Sequence, residues 1–419
     1  MVGLCDCNNF FVSCERVFAP QYNNRPTIVL SSNDGCIIAR SNEAKALGLK
    51  MGQPLYQVKN IIKRYDIKIF SSNYFLYGDM SNRIMATLRS NVPEIEVYSI
   101  DEAFLNFDGY ETSKLQEYGL KLSSIVKKNT GVPVSLGIAP TKTLAKIASK
   151  LCKKYPKLNG CCLMYRSEDI EKVLKRYPIE DVWGIGRAYS RKLLALEIVT
   201  AYDFVSLPAE WVKRNMSIVG FRIWQELKGV PAVKFDNSSP DKQSICVSKS
   251  FSKEIEKVEE LGSAISTFVT SACEKLRKQK SCCSQLQIFI YTNRHKITAL
   301  QHSESRVVMF DIQTDSTIEI AQKANEILKS IFKKGYAYKK AGVVLSHISP
   351  KLRVQGDLFD KIDRNKHTRL MGVIDSLNSD LGRNKVSLAS NTDIFNISSS
   401  EFRSDEYTTK WEDILRVKV

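Results

Sequence analysis

Apolar residues fall along the chain in two patterns: short unbroken runs, and longer stretches repeating every three to four positions. Residues 2–7 form a run interrupted only by Asp6, the pattern of a short buried strand. A second run, 27–30, ends in the turn-forming SSNDG of 31–35. Residues 36–39 make another short strand, and 41–47 a short helix stopping at Gly48. Over 73–91, Leu76, Met80, Ile84 and Leu88 recur on one helical face. A hairpin follows, 94–99 and 103–107, around a tight turn bearing carboxylates. A helix over 112–129, a strand over 132–138 and a helix over 141–154 complete this part. Hairpins interrupt the alternation of strand and helix, so the class expected is α+β and not doubly wound.

Residues 166–235 read as short helices punctuated by Gly and Pro. Residues 241–349 read strand, helix (257–278), strand (284–292), strand (306–312), helix (316–333), strand (341–348). That βαββαβ succession is the ferredoxin-like plan. The last stretch, 356–419, has 10 basic and 11 acidic residues without sustained periodicity, and is expected to be a partly ordered tail.

The chain is basic: 62 Lys and Arg face 45 Asp and Glu, a net charge of +17 over 419 residues. A surplus of that size suits a polyanion, nucleic acid above all. It is unevenly spread. Residues 120–160 carry nine lysines and no acid, and residues 240–355 carry 19 basic and 11 acidic residues. The 11 cysteines lack zinc spacing, and Cys5/Cys7, Cys161/Cys162 and Cys282/Cys283 stand too close for ordinary bridges. They are expected to be reduced, buried small hydrophobes. No run reaches the ~18–20 apolar residues of a membrane span, and the N-terminus has no signal-peptide pattern, so a cytoplasmic protein is expected, and with a nucleic-acid partner a nucleoid-associated one.

An ionised Asp6 inside an apolar strand is costly without a cation or donor. SIDEAF, 99–104, puts Asp101 and Glu102 at a hairpin tip. If the first strand lies beside that hairpin, three carboxylates meet at one sheet edge. Divalent Mg²⁺ relieves their repulsion and leaves positions for phosphate and water. A pair of such ions can clamp an in-line phosphoryl displacement. On the helix after Thr141, Lys142, Lys146, Lys150, Lys153 and Lys157 share a face at spacings of 4, 4, 3 and 4. A lysine stripe without acidic partners is expected to lie against phosphates. VWGIG, 182–186, precedes an apolar-periodic helix and resembles a helix-hairpin-helix, in which Gly184 and Gly186 let backbone approach phosphate. Lys45, beside Asn42 and Glu43, is placed to reach a triphosphate.

Together these segments resemble the Y-family of translesion DNA polymerases, and within it the UmuC branch, the catalytic subunits of bacterial DNA polymerase V. The resemblance spans the chain through CDCNNFFVSCE (5–15), SSNDGCIIARSNEAKALGLKMG (31–52), SSNYFLYGDMSNR (71–83), VYSIDEAF (97–104), GIAPTKTLAKIASK (137–150), DVWGIGR (181–187) and YTTKWEDILRVK (407–418). It implies a right-hand polymerase with a palm (1–25 and 73–165), fingers (26–72), a thumb (166–238), a ferredoxin-like little finger (239–354) and a C-terminal tail (355–419). It implies two Mg²⁺ held by Asp6, Asp101, Glu102 and the Cys7 backbone carbonyl, with Lys45 and Lys153 on the triphosphate. Lys142, Lys146, Lys150, Gly184 and Gly186 are expected on DNA. The sugar-discriminating aromatic falls at Phe11. Tyr is common there in the UmuC branch, and Phe keeps the bulk without the hydroxyl.

Gln355, Leu358 and Phe359 in QGDLF resemble the QxxLF peptide that docks bacterial polymerases on the sliding clamp. The expected partners are primer-template DNA, dNTPs, the clamp, a processed UmuD-type protein and a RecA filament. The expected activity is error-prone, template-directed synthesis across lesions in the SOS response. Other readings of the residues stay open here: a nucleotidyl cyclase or nuclease on the paired carboxylates, and a catalytically inactive DNA- and clamp-binding scaffold.

Overall fold

The computed structural model describes residues 1–236, 240–382, 385–391 and 400–415. The chain forms two units, residues 1–238 with 401–419, and residues 239–400. The expected thumb boundary at 238/239, and Arg416 to Lys418 of the C-terminal motif, lie outside the described residues.

In the first unit β1 (Val2–Cys7) leads into α1 (Phe10–Phe18). Then come β2 (Thr27–Leu30), β3 (Ile37–Arg40), α2 (Asn42–Ala46), α3 (Leu55–Arg64), β4 (Lys68–Ser71) and α4 (Tyr74–Arg89). The hairpin β5 (Glu94–Val97) and β6 (Glu102–Asn106) precedes α5 (Leu115–Thr130), β7 (Val134–Ala139), α6 (Lys142–Lys154) and β8 (Cys161–Leu163). Five short helices follow: α7 (Ser167–Leu174), α8 (Arg187–Leu194), α9 (Ala201–Val205), α10 (Ala209–Asn215) and α11 (Ile218–Leu227).

The main sheet runs β5-β6-β1-β7-β8. β1 is central and antiparallel to both β6 and β7. Successive strand residues face opposite sides. Cys5 and Cys7 join a core with Leu76 and Met80 of α4 and Leu122 and Val126 of α5. Leu4 joins the other core, with Leu144, Ile147 and Ala148 of α6. Asp6 alternates with Cys5 and Cys7, and so points to the α6 side. Gly137 of β7 lets α6 come close, since a Cβ there would stand 2.1 Å from the Ser149 backbone nitrogen. A separate small sheet, β3-β2-β4, has its own core of Ile28, Leu30, Ile37 and Val58.

In the second unit the elements are β9 (Ser244–Ile255), α12 (Val258–Lys278), β10 (Ser281–Thr292), β11 (Ser303–Thr314), α13 (Thr317–Ile331) and β12 (Tyr338–Pro350). The succession is βαββαβ as expected, and the spatial order is β11-β10-β12-β9, antiparallel throughout. The tail departs from its sequence reading. It contains a 17-residue helix, α14 (Arg364–Asp380). This helix buries only Met371 and is held to α12 by Arg277, whose guanidinium grips both Asp375 oxygens at 2.6 and 2.7 Å. Further polar contacts, Arg364 with Glu319 of α13 at 3.3 Å and His367 with the Ser316 hydroxyl at 2.8 Å, anchor it in place of an apolar stripe that could be read. Residues 401–415 belong to the first unit. All 11 cysteines are free, and Cys246 is exposed, against the expectation that they are buried.

Candidate active site

Asp6 and Glu102 stand directly opposite each other on β1 and β6. Side chains so paired share a sheet face, here the face covered by α6. Asp101 sits one residue before β6, in a turn organised by Ser99. The Ser99 hydroxyl donates to Asp101 Oδ1 at 2.6 Å and accepts from the Asp101 and Glu102 backbone N–H groups at 3.2 and 3.0 Å. The Cys7 N–H donates to the Asp101 carbonyl at 2.9 Å and ties the turn to the end of β1. Ser99 had no role in the sequence reading, although Ser two residues before an acid in a turn is a legible signal.

The lysine stripe of α6 is not unpartnered, which corrects the expectation. Lys153 Nζ lies 2.5 Å from Asp6 Oδ1, Lys146 Nζ 2.9 Å from Glu102 Oε2, and Lys150 Nζ 3.7 Å from Asp181 Oδ1. Lys142 is 1% exposed and pairs with Glu96 Oε2 at 2.6 Å and the Lys234 carbonyl at 2.7 Å. Its ammonium is enclosed by these oxygens and by the Phe104 and Phe235 rings, so its expected DNA contact is withdrawn. The partners escaped the sequence because they lie on other elements, 46 residues away for Glu96 and 147 for Asp6.

Burial pushes Asp6 up to about 6. Lys153 opposes that shift, and the neighbouring Glu102 and Asp101 add to it. Among the described residues, no three acidic, histidine or cysteine side chains are gathered closely enough to hold a metal ion as they stand. Asp6 and Glu102 are each turned to a lysine instead.

A cleft of about 310 Å³ opens beside these acids, with Asp6, Asp101, Phe11, Arg40, Lys45 and Lys153 in its wall. Cys7 also lines it. Lys45 donates to Asn9 Oδ1 at 2.5 Å and Asn42 Oδ1 at 3.2 Å, both neutral acceptors. Burial lowers its pKa first, and Lys153 and Arg40 lower it further. Three cations thus crowd one side of the cleft, a field that suits a polyanion. Arg40 and Asn9 were missed by the sequence reading. Phe11 stacks on Tyr77, with ring centroids 4.4 Å apart and planes 13° apart.

The remaining predicted residues lie elsewhere. Gly184 takes φ of 88°, and a Cβ there would meet Ile223 Cδ1 at 2.4 Å, so glycine is required by the turn and its packing. Gly186 precedes α8 with open space around it. The element before this turn is a 3-10 turn, Ile179–Asp181, in place of a helix. Trp183 in the turn donates to Tyr98 Oη at 3.1 Å, close to Lys146. Gln355 is exposed, and Leu358 and Phe359 are 99% and 88% exposed, so neither of the latter caps the core of the second unit. No described helix is long and apolar enough to cross a membrane.

Residues 5–150 match the impB/mucB/samB family, residues 242–358 the impB/mucB/samB family C-terminal domain, and residues 368–417 a domain of unknown function. The chain is 37% identical to Protein UmuC of Salmonella typhimurium over 422 residues, covering 100% of both chains. It is 28% identical to DNA polymerase IV of Acetivibrio thermocellus over 337 residues, 78% of this chain and 80% of that one. Among solved structures, a Y-family DNA polymerase chimera shares the fold with a TM-score of 0.67 at 23% identity, covering 83% of this chain and 99% of that one.

Proposed function

The chain belongs to the impB/mucB/samB family and is a Y-family DNA-directed DNA polymerase, and from that premise we propose that it carries out error-prone translesion synthesis in the SOS response to DNA damage. The reaction is attack of a primer 3′-hydroxyl on the α-phosphate of a dNTP, with pyrophosphate leaving. The observation that carries this reading is the cleft itself, where Asp6 and Asp101 face Arg40, Lys45 and Lys153.

The donor set fits a hard divalent cation: Asp6, Asp101, Glu102 and the Cys7 carbonyl offer only oxygens, as Mg²⁺ prefers, and the charged form of Asp6, disfavoured mainly by burial, would gain from a cation beside it. Two Mg²⁺ ions, when bound, would supply Lewis-acid stabilisation of the attacking and leaving oxygens. Asp6 and Asp101 would hold both, and Glu102 the one nearer the hydroxyl. Lys153 and Lys146 then exchange their carboxylates for phosphate. Lys45 and Lys153 hold the triphosphate, and Phe11 lies under the sugar and excludes a 2′-hydroxyl by its bulk. Lys150 and the turn at Gly184 and Gly186 contact DNA phosphates, as does the basic second unit. Gln355, Leu358 and Phe359 dock on the sliding clamp; their exposure and the absence of a structural role for the two apolar side chains support this. A processed UmuD-type protein and a RecA filament complete the assembly.

Primer extension on damaged and undamaged templates, with and without clamp, a UmuD-type protein and RecA filament, tests the reading. Extension past a lesion that needs the partners is expected, with no gain from clamp once Leu358 and Phe359 are both Ala. Extension confined to undamaged template under every condition would reject the translesion role.

A further inference from the structure

Phe11, Glu15 and Phe18 occupy positions i, i+4 and i+7 of α1, so they line one face of the helix. Two other elements meet that face. The first is the start of α4. Tyr77 stacks on Phe11, and Tyr74 meets the same ring edge-on at 6.0 Å and 89°. The Tyr77 hydroxyl donates to Glu15 Oε1 at 2.7 Å, and Tyr77 is fully buried.

The second is the returning C-terminal segment. Tyr407 stacks on Phe18 with centroids 4.8 Å apart and planes 11° apart. Asn73, which caps α4 by accepting from the Leu76 N–H, donates through Nδ2 to the Ser404 carbonyl, the Ser404 hydroxyl and the Asp405 carbonyl at 3.2, 3.0 and 3.0 Å. The Ser71 N–H donates to the Phe402 carbonyl at 2.9 Å, and the Phe402 N–H to the Ser71 hydroxyl at 3.0 Å. The segment therefore grips both the residues that launch α4 and the far end of the α1 face.

Glu15 is 1% exposed, and its Oε2 has no hydrogen-bond partner. A buried carboxylate is expensive for a residue that only fills space. Its bond to Tyr77 anchors the hydroxyl end of the tyrosine ring, and with that end held the ring packs face to face on Phe11 and edge-on to Tyr74. Burial pushes Glu15 up to about 7, while the bond from Tyr77 and the nearby Ser404 hydroxyl favour its charged form.

We propose that Tyr77, held by Glu15 and by the segment 402–407, is a positioning residue that sets the plane of the Phe11 ring and thereby the discrimination between deoxyribo- and ribonucleotides. This rests on the reading of Phe11 as the sugar-facing ring. It gives the C-terminal segment, which falls within a domain of unknown function, a role at the nucleotide site of its own chain.

The test is kcat/KM for a dNTP and the matching rNTP in the full chain. Phe11→Ala should raise the rNTP/dNTP ratio most. Tyr77→Phe, which keeps the ring and removes only its bond to Glu15, should raise it about three- to tenfold, the size of one net hydrogen bond, and the rise should be read in the ribonucleotide KM. Tyr407→Ala, which unseats the segment, should move the ratio the same way. Glu15→Gln still accepts from the Tyr77 hydroxyl and should keep the ratio of the unaltered chain. If Tyr77→Phe folds poorly because Glu15 is orphaned, Glu15→Met with Tyr77→Phe removes both polar groups and should still relax selectivity. A merely structural role would lower the melting temperature and slow both sugars alike. An unchanged ratio in a folded Tyr407→Ala or Tyr77→Phe protein, or in the double variant, overturns the proposal while a relaxed Phe11→Ala leaves the gate standing. An unchanged ratio in Phe11→Ala defeats the gate, and the proposal with it.

Discussion

In the first unit the lysines of α6 meet acids one to one across the edge of a sheet: Lys142 with Glu96, Lys146 with Glu102, Lys150 with Asp181 and Lys153 with Asp6. In the second unit many pairs are local, such as Lys257 with Glu260, Lys278 with Glu274 and Lys323 with Glu326, each within one helical turn. There 19 basic residues outnumber 11 acidic ones over 240–355, and the surplus is spread along strands and loops. On the proposed function, the two regions are basic for different reasons. Chemistry at a phosphate needs particular atoms at particular distances. Holding a duplex by its backbone needs only the sum of charge. Substitutions in the first region should therefore act singly and sharply, and those in the second weakly and additively.

The largest effect is expected at the hairpin tip. Asp101→Ala or Glu102→Ala should reduce primer extension about 10⁴-fold or more, the several kcal/mol that metal clamping supplies. Affinity for primer-template DNA, measured by fluorescence anisotropy, should change little. Near-normal extension by the Asp101→Ala protein would remove the basis for treating this edge as the active site.

Next comes Lys142, which separates a structural lysine from the neighbours on the same helix that are proposed to meet phosphate. Lys142→Ala leaves Glu96 behind in a site where that side chain is 14% exposed. Breaking such a pair is expected to cost about 3 kcal/mol of folding free energy, the low end for a buried pair, because Glu96 also accepts from the Asp236 N–H. Lys142→Met with Glu96→Gln should recover most of that loss in a urea melt. If the single variant melts normally but loses DNA affinity, Lys142 belongs with the phosphate contacts after all.

Lys142 also marks the limit of what the sequence could say. Spacing put it on one face with Lys146, Lys150 and Lys153, and the face is real. Spacing could not say that Glu96, Glu102, Asp181 and Asp6 come to meet it, because register between distant strands is a tertiary fact. Asp6 and the SIDEAF turn were legible because a charge inside an apolar run and a DE pair at a hairpin tip break local rules. The βαββαβ succession was legible from periodicity, whereas the order β11-β10-β12-β9 was not. α14 and the return of residues 401–415 were invisible, since Arg277–Asp375 and Asn73–Ser404 replace the apolar faces that periodicity detects.

A smaller effect is expected from pH on the first unit. The Glu15 carboxyl sits at about 7 in the fold, because burial disfavours its charge, against an ordinary value of 4.5. The folded state holds that proton more tightly, so the stabilisation is fully present below about pH 4.5 and is lost as pH rises through 7. The difference is on the order of 2 kcal/mol between pH 5 and pH 8. Asp6 shifts the same way, so the informative quantity is the contrast with Glu15→Gln. That variant should show a flatter decline of melting temperature over the same range. An identical decline in both proteins would mean that Glu15 stays ionised throughout.

The smallest effect should come from a single lysine in the second unit. Lys253 is exposed on β9. If this unit holds DNA through summed charge, Lys253→Ala should weaken binding only a few-fold and equally for unrelated sequences. The slope of log affinity against log salt should become shallower by about 0.9, the release of one counterion. Extension at saturating DNA should not change, since no atom of Lys253 is assigned to the cleft of the first unit. Adding a second exposed lysine, Lys334→Ala, should roughly double the loss of slope, because distant sites add. A loss of slope near zero for both would remove β9 and its surroundings from the DNA interface. A loss of extension at saturating DNA would break the comparison itself, by giving a residue of the field a part in the chemistry.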